Sequence, residues 1–274
     1  MQTPPADALG TPGLVSVVIP TFNEAETLPR TLRALSSAAG GQAFEVIVSD
    51  GGSDDHTLAI ARAWNCVCVQ SPRAQRAAQM NAGAARACGD VLLFLHADTL
   101  LPIGALEKVW AACRQPGIVG GGFVRRYDSP SRWLRLTCWL AERRNRWFGW
   151  HLGDQAIFVR RSVFERLGGF RDFDVFEDVD FSRRLARAGK LLTLRPPVVS
   201  SARRFASRGV FRRSLLDAWL MWRYLLGASP PVLQQARAQP QTSSLGFRPV
   251  PIVPAVQPVR RDTQDVQQQE QGVG

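Results

Sequence analysis

The chain has 274 residues, 45% of them hydrophobic, enough to bury a sizeable core in one large domain or two small ones. Its net charge of +11 invites a nucleic-acid or anionic-surface reading, yet the surplus is almost all arginine, a bias that a GC-rich genome produces unaided. No apolar run approaches a membrane span, and the five scattered cysteines form no Cys-x-x-Cys pair, so a disulfide frame is disfavoured and a reduced, cytoplasmic chain is expected.

Residues 1–13 are rich in Pro, Gly and Ala and read as a flexible N-terminal arm. The β-branched run 14–20 (LVSVVIP) predicts a first parallel strand, after which Ala25, Leu28, Leu32 and Leu35 recur at helical spacing. A second strand, 44–49, runs into an acidic turn, DGGSDD, where Ser53 or Asp54 is expected to cap a helix through about Trp64. Residues 66–71 read as a short third strand, and the Ala-rich stretch 74–88 as a helix ended by Gly89.

The stretch 91–99 (VLLFLHADT) is an unbroken apolar run that stops at His96 and Asp98. Such a run predicts a strand buried on both faces, and alternation along an extended chain sends His96 and Asp98 to one side. Ligands of open α/β sheets sit outside the carboxyl ends of strands, so two metal-capable groups there point to a bound cation. The plainer reading is a polar strand-to-helix turn capped by Asp98. Strand–helix alternation up to this point predicts a parallel sheet whose loops 21–24, 50–55, 73–76 and 96–98 gather along one edge. None of them carries GxGxxG or a Walker loop.

Beyond Asp98 the regularity loosens. A helix is expected over 102–114 and a glycine-weakened strand over 118–127 (IVGGGFVRRY). The Trp- and Arg-rich stretch 131–150 reads as an amphipathic helix; Gly153-Asp154-Gln155 precedes a strand at 156–159, and a turn lies at 168–170. Glu177 and Asp178 open a helix running 179–188, where carboxylates suit the positive end of the dipole. Short strands are expected at 190–194 and 198–201 around Pro196-Pro197, then an apolar helix over 211–226. The tryptophans of 131–150 and 211–226 read as packed on the sheet, with peripheral contact to a membrane face as the second reading. From 234 to 274 the Gln/Pro-rich composition predicts a disordered tail.

Five stretches taken in order, VSVVIPTFNEAETL, EVIVSDGGSDDHT, QMNAGAARACGDVLLFLHADTLLP, GDQAIFVRR and FEDVDFSRRLARAG, resemble the inverting glycosyltransferases of family 2. The His-Ala-Asp-Thr form, the GDQ and the SARRF ending resemble a bacterial subgroup named for arsenosugar biosynthesis. The resemblance covers roughly 14–233 and implies one α/β domain of the GT-A fold, with a mostly parallel nucleotide-binding sheet, flanking helices and a mixed C-terminal half. It implies transfer of a sugar, of hexosyl type, from a nucleotide-sugar donor, by family habit a UDP-sugar, to a hydroxyl of a small-molecule or lipid acceptor.

It also assigns roles. Asp98 corresponds to the final acid of the family's metal motif, with His96 where many relatives carry Asp, and Mn²⁺ or Mg²⁺ as the cation. Asp50 stands where the family recognises the nucleoside base, and Pro20, Thr21, Asn23, Glu24, Gly52, Asn81 and Ala97 would line the same pocket. Asp178, in the Glu-Asp motif, would be the general base, with Glu177 positioning the acceptor. Asp154 and Gln155 would line the sugar or acceptor pocket. Arg73, Arg76, Arg203 and Arg204 could reach the phosphates, since a guanidinium fork binds two oxygens at once. The rivals are a sugar-nucleotide pyrophosphorylase, which lacks its Gly-rich basic loop here, and a basic nucleic-acid- or membrane-binding protein with an inactive GT-A domain. No nucleic-acid partner is expected, because acids at the strand ends repel phosphate unless a metal intervenes.

Overall fold

Alternation within the apolar runs sets the layers. In β1 (Val15–Thr21), Val15, Val17 and Ile19 enter one core while Val18 enters the other. In β4 (Val91–Phe94), Val91 and Leu93 face the first core, Leu92 and Phe94 the second. Strands buried on both faces need helices above and below, and each fully buried Val, Leu or Phe side chain contributes about 1.5–3 kcal/mol. The computed structural model describes residues 13–205 and 210–228. They belong to one unit, Met1–Gln239. Except for Gly13, the predicted arm lies outside the described residues, as does the whole predicted tail.

The covering helices are α1 (Leu28–Ala38), which buries Leu28, Leu32 and Leu35 in the first core, and α3 (Arg76–Arg86), which buries Ala77, Met80 and Ala84 in the second. With β2 (Phe44–Asp50), α2 (Thr57–Ala63) and β3 (Val67–Gln70) they complete the first half. The chain continues through β5 (Thr99–Leu100), α4 (Ala105–Arg114), β6 (Ile118–Tyr127), α5 (Arg132–Phe148) and β7 (Ile157–Arg160). It then forms α6 (Arg161–Arg166), α7 (Glu177–Ala188), β8 (Lys190–Ser200) and α8 (Val210–Leu225). One eight-stranded sheet results, in the order β3-β2-β1-β4-β7-β6-β8-β5. The first four strands in that order run parallel; β7 is antiparallel to both β4 and β6, β8 is parallel to β6, and β5 is antiparallel to β8. The expected parallel half and mixed half are therefore both present.

Several elements depart from the sequence reading, each for a local reason. The strand predicted over 91–99 stops at Phe94. Ala97 and Asp98 form a turn closed by the Thr99 N–H on the His96 carbonyl, 3.0 Å, so alternation does not govern His96 and Asp98. Ser53 and Asp54 do not cap α2; the Ser53 hydroxyl and N–H both donate to Asp50, and the helix starts at Thr57, whose N–H donates to Asp55. β6 is full length despite its glycines because they make room: a Cβ on Gly121 would lie 1.9 Å from the Leu192 carbonyl oxygen of β8. The two strands expected around Pro196-Pro197 are one, with a register shift between Phe123 and Arg125 where the prolines, lacking N–H groups, sit opposite. The short α6 has no counterpart in the sequence reading. The tryptophans do not all pack on the sheet either: Trp139, Trp147, Trp219 and Trp222 are exposed.

Candidate active site

The loops after β1 and β2 are tied together by Asp50, which is fully buried. Its Oδ1 accepts from the hydroxyls of Thr21 (2.9 Å) and Ser53 (2.5 Å), its Oδ2 from the N–H groups of Gly52 (2.9 Å) and Ser53 (2.7 Å). Those four bonds match the acceptor capacity of a carboxylate. Asn23, at φ 53°, continues the clasp by accepting from the Asp54 N–H and donating its own N–H to Ser53. Asn81 is engaged with the backbone of Phe170, and Arg73 with Asp172 at the surface.

Next to this frame a cavity of about 210 Å³ is lined by Pro20, Glu24, His96, Ala97, Asp98 and Arg203, among others. Here the Arg203 guanidinium bridges the two acids: Nη2 donates to both Glu24 oxygens at 2.5 and 2.6 Å, and Nε lies 3.4 Å from Asp98 Oδ2. Of the expected nucleotide residues, Pro20, Glu24, Arg76, His96, Ala97 and Asp98 line this cavity. Thr21, Asn23, Asp50, Gly52, Asn81 and Gln155 line neither it nor its larger neighbour. The side chain of Arg204 lies outside the described residues.

The larger cavity, about 410 Å³, shares Arg76, His96, Tyr127 and Asp154 with the first, so the two are halves of one cleft. Two of its four acids, Glu177 and Asp178, come from the first turn of α7, and the others are Asp154 and, from α8, Asp217. Glu177 is buried, with Arg76 Nη1 at 3.5 Å. Asp178 is half-buried; its Oδ2 accepts the Gly153 N–H at 2.8 Å and its Oδ1 the Val179 N–H at 2.7 Å. Gly153 is a point of close approach: a Cβ there would lie 2.6 Å from His96 Nε2 and 3.4 Å from Asp178 Oδ2. His96, Gly153 and Asp178 thus converge where the halves meet. Asp154 is locked in the floor, its Oδ2 2.5 Å from Arg125 Nη1 and 2.9 Å from the Tyr127 hydroxyl, and both side chains of the ion pair are nearly inaccessible. Gln155 stands behind, accepting from Arg144 Nη2 at 2.8 Å and donating to the Phe123 carbonyl at 3.0 Å. Burial, and then the neighbouring Arg125, lower the Arg144 guanidinium to about 10.

Sequence reasoning did not single out Arg125, Tyr127 or Arg144. A signal existed for the first: an arginine inside the apolar strand run GGGFVRRY has to find a carboxylate or leave the core. Among the described residues no cluster of three or more His, Cys, Asp or Glu side chains is placed to hold a metal. One carboxylate, Asp98, beside an imidazole in a cleft nevertheless fits a divalent cation whose remaining ligands come from phosphate and water.

Behind the floor, burial and then Arg144 hold His151 down at about 3 against an ordinary 6.5, and its Nε2 pairs with the Thr193 hydroxyl at 2.9 Å. Below pH 6.5 the unfolded chain takes up a proton that the folded imidazole refuses until about pH 3. Stability from this group therefore falls by about 1.4 kcal/mol per pH unit as pH drops through that window. Urea unfolding midpoints of wild type and His151→Gln are expected to converge between pH 7 and pH 5; a parallel decline would remove His151 as a cause.

Against known proteins, residues 16–171 match the model of "Glycosyl transferase family 2". The chain is 27% identical over 205 residues to glycosyltransferase AglE of Haloferax volcanii, covering 68% of this chain and 65% of AglE, slightly under two thirds of that relative. It is 31% identical over 193 residues to a PGL/p-HBAD biosynthesis glycosyltransferase of Mycobacterium tuberculosis, covering 66% of this chain and 72% of the relative. Among solved structures, mannosyltransferase PcManGT from Pyrobaculum calidifontis, in complex with GDP-Man and Mn²⁺, superposes with a TM-score of 0.60 at 21% identity over 83% of this chain and 70% of that one. S. aureus TarS in complex with UDP-GlcNAc gives 0.53 at 16% identity, over 81% and 69%. The structural likeness carries the GT-A fold, and these matches give the arsenosugar subgroup no support. Five motifs in order, a parallel half opening into a two-part cleft, and a family match over more than half its length leave one assignment: the chain belongs to glycosyltransferase family 2.

Proposed function

We propose that the protein transfers a sugar, with inversion, from a nucleotide-sugar donor in the smaller half of the cleft to an acceptor hydroxyl in the larger half. The observation that carries this reading is the continuity of the cleft, with Asp98 at one end and the Asp178 carboxylate opening into the other. Asp178 takes the proton of the acceptor hydroxyl as its oxygen attacks the anomeric carbon, and the nucleoside diphosphate leaves from the opposite face. Glu177, paired with Arg76, orients the acceptor. Pro20, Glu24 and Ala97 bound the nucleotide, while Thr21, Asn23, Asp50 and Gly52 act from behind by ordering the loop it rests on. When bound at Asp98, with His96 at its side, Mn²⁺ or Mg²⁺ supplies positive charge to the diphosphate. Arg203 holds Asp98 and Glu24 together and turns to the phosphates once the donor enters. The five free thiols fit work in the cytoplasm.

The donor is assigned as a UDP-sugar and the acceptor as a small molecule or a lipid. Calorimetric titration of UDP and of GDP, each with and without Mn²⁺, tests the donor half. UDP is expected to bind in a metal-dependent way, and Asp98→Asn to weaken that binding at least about tenfold, the loss of one charge-assisted contact. Preference for GDP would change the donor and keep the cleft; binding of neither nucleotide by the folded protein would overturn the assignment.

A further inference from the structure

Two helices beside the larger half of the cleft turn apolar stripes outward. On α5, Leu136, Trp139, Leu140 and Trp147 are 42%, 50%, 52% and 68% exposed, and their spacing of three, four and seven residues puts them on one side of the helix. On α8 and just beyond it, Phe211, Leu215, Trp219, Trp222 and Leu226 are 54%, 48%, 45%, 58% and 67% exposed, again at three- and four-residue intervals. The helices meet where the Trp133 and Phe211 rings lie 4.8 Å apart. Large exposed apolar patches of this kind mark interaction surfaces.

Charge decides the partner. The α5 sequence RWLRLTCWLAERRNRWF carries five arginines and one acid, Glu142, which is itself paired with Arg195. Arg132, Arg135, Arg143 and Arg146 are exposed, so the basic side chains flank the apolar stripe and do not sit on an opposite face of their own. Guanidinium groups lie over the indoles, Arg143 over Trp139 at 4.6 Å and Arg223 over Trp219 at 5.2 Å. Indoles and guanidiniums side by side suit the headgroup level of an anionic bilayer, where the ring is half wet and the cation meets phosphate. A symmetric contact with a second copy would set the same basic stripe against itself, which costs repulsion. Among the described residues no helix is long and apolar enough to cross a membrane, so these lie along it.

We propose that the outward faces of α5 and α8 dock the protein peripherally on an anionic phospholipid surface. This surface stands independently of the transfer reading. The same two helices wall the larger cavity, through Leu140 and Arg144 of α5 and Ser214, Ala218 and Met221 of α8, so docking holds that cavity at the bilayer surface.

The test is co-sedimentation of the full chain with vesicles of phosphatidylcholine alone and of phosphatidylcholine with phosphatidylglycerol, followed also by tryptophan fluorescence. Binding to the anionic vesicles only, with a blue shift and a loss at high salt, is the expected result. Arg143→Gln/Arg146→Gln should weaken it about 30-fold, the effect of two charges near the surface. Trp219→Ala/Trp222→Ala should weaken it at least about tenfold through lost apolar contact. All four side chains are exposed, and circular dichroism checks that both variants fold. No sedimentation with anionic vesicles, unchanged binding by both variants, or a vesicle-free dimer that both variants dissolve would overturn the proposal.

Discussion

Asp178→Asn is expected to lower turnover about 10³-fold, within the range of 10²–10⁴ that a general base contributes, while UDP binding by calorimetry stays within about twofold of wild type. The four acids lining the larger half, Asp154, Glu177, Asp178 and Asp217, are not equivalent. Asp154 is held by Arg125 and Tyr127 on one oxygen and lies in the floor. Glu177 is buried and faces Arg76. Asp217 belongs to α8, whereas Asp178 combines partial exposure with a direction fixed by two backbone N–H groups and a place beside Gly153 and His96, and its carboxylate has further lone pairs to offer. Asn keeps the shape and one of the two N–H contacts, since its amide has a single acceptor oxygen, and it removes the proton acceptor. The measurement is the rate of nucleoside diphosphate release with saturating donor. A fall of tenfold or less would move the base elsewhere, with Glu177→Gln as the next variant.

The second large effect falls on stability. Asp154→Asn should destabilise the fold by about 3–5 kcal/mol, because it leaves the largely buried Arg125 guanidinium without its carboxylate. The Arg125 and Asp154 side chains are each only 9% exposed, and the carboxylate keeps the arginine firmly charged against the cost of burial. Removing both charges is a milder change: Arg125→Met/Asp154→Asn should recover most of the loss, since a buried ion pair replaced by neutral groups of similar volume is often nearly neutral. Urea unfolding of the single and double variants separates the two cases. Equal destabilisation in both would mean that the loss comes from the change at Asp154 itself, such as a weakened bond from the Tyr127 hydroxyl, and not from a stranded Arg125 charge.

How much of this was legible beforehand depended on the range of the interaction. β1 and β2 could be read to within a residue because each is a mostly apolar, β-branched run, and β6 because apolar residues flank its three glycines. The end of α7 was legible, while its start lies two residues before the expected Val179, because the carboxylates that open it sit inside the first turn and not ahead of it. The end of β4 was not: Leu95 and Ala97 are as buried as a strand would make them, yet the chain has already turned. Short-range pattern cannot show that Asp50 is consumed by its own loop, that Arg203 lies across Asp98, or that an arginine of β6 holds Asp154. Each depends on a partner far along the chain or on how a turn folds back. The exposed tryptophans misled for a related reason, since aromatic content alone does not say which face of a helix the sheet takes.

The pair that links Glu24 to Arg203 has a consequence in time. Its members are 179 residues apart, which at about 5–20 residues per second separates their synthesis by roughly 9–36 seconds. During that interval β1, β2 and β3 can already pair, and β4 can join β1, while the other edge of β4 waits for β7. The nascent chain thus holds an apolar strand edge bare before its cleft has a second wall. A chain stopped after residue 171 would keep the stretch that matches the family model and have neither Asp178 nor Arg203. On the proposed reading, competence for transfer therefore arrives late in synthesis, with the C-terminal third.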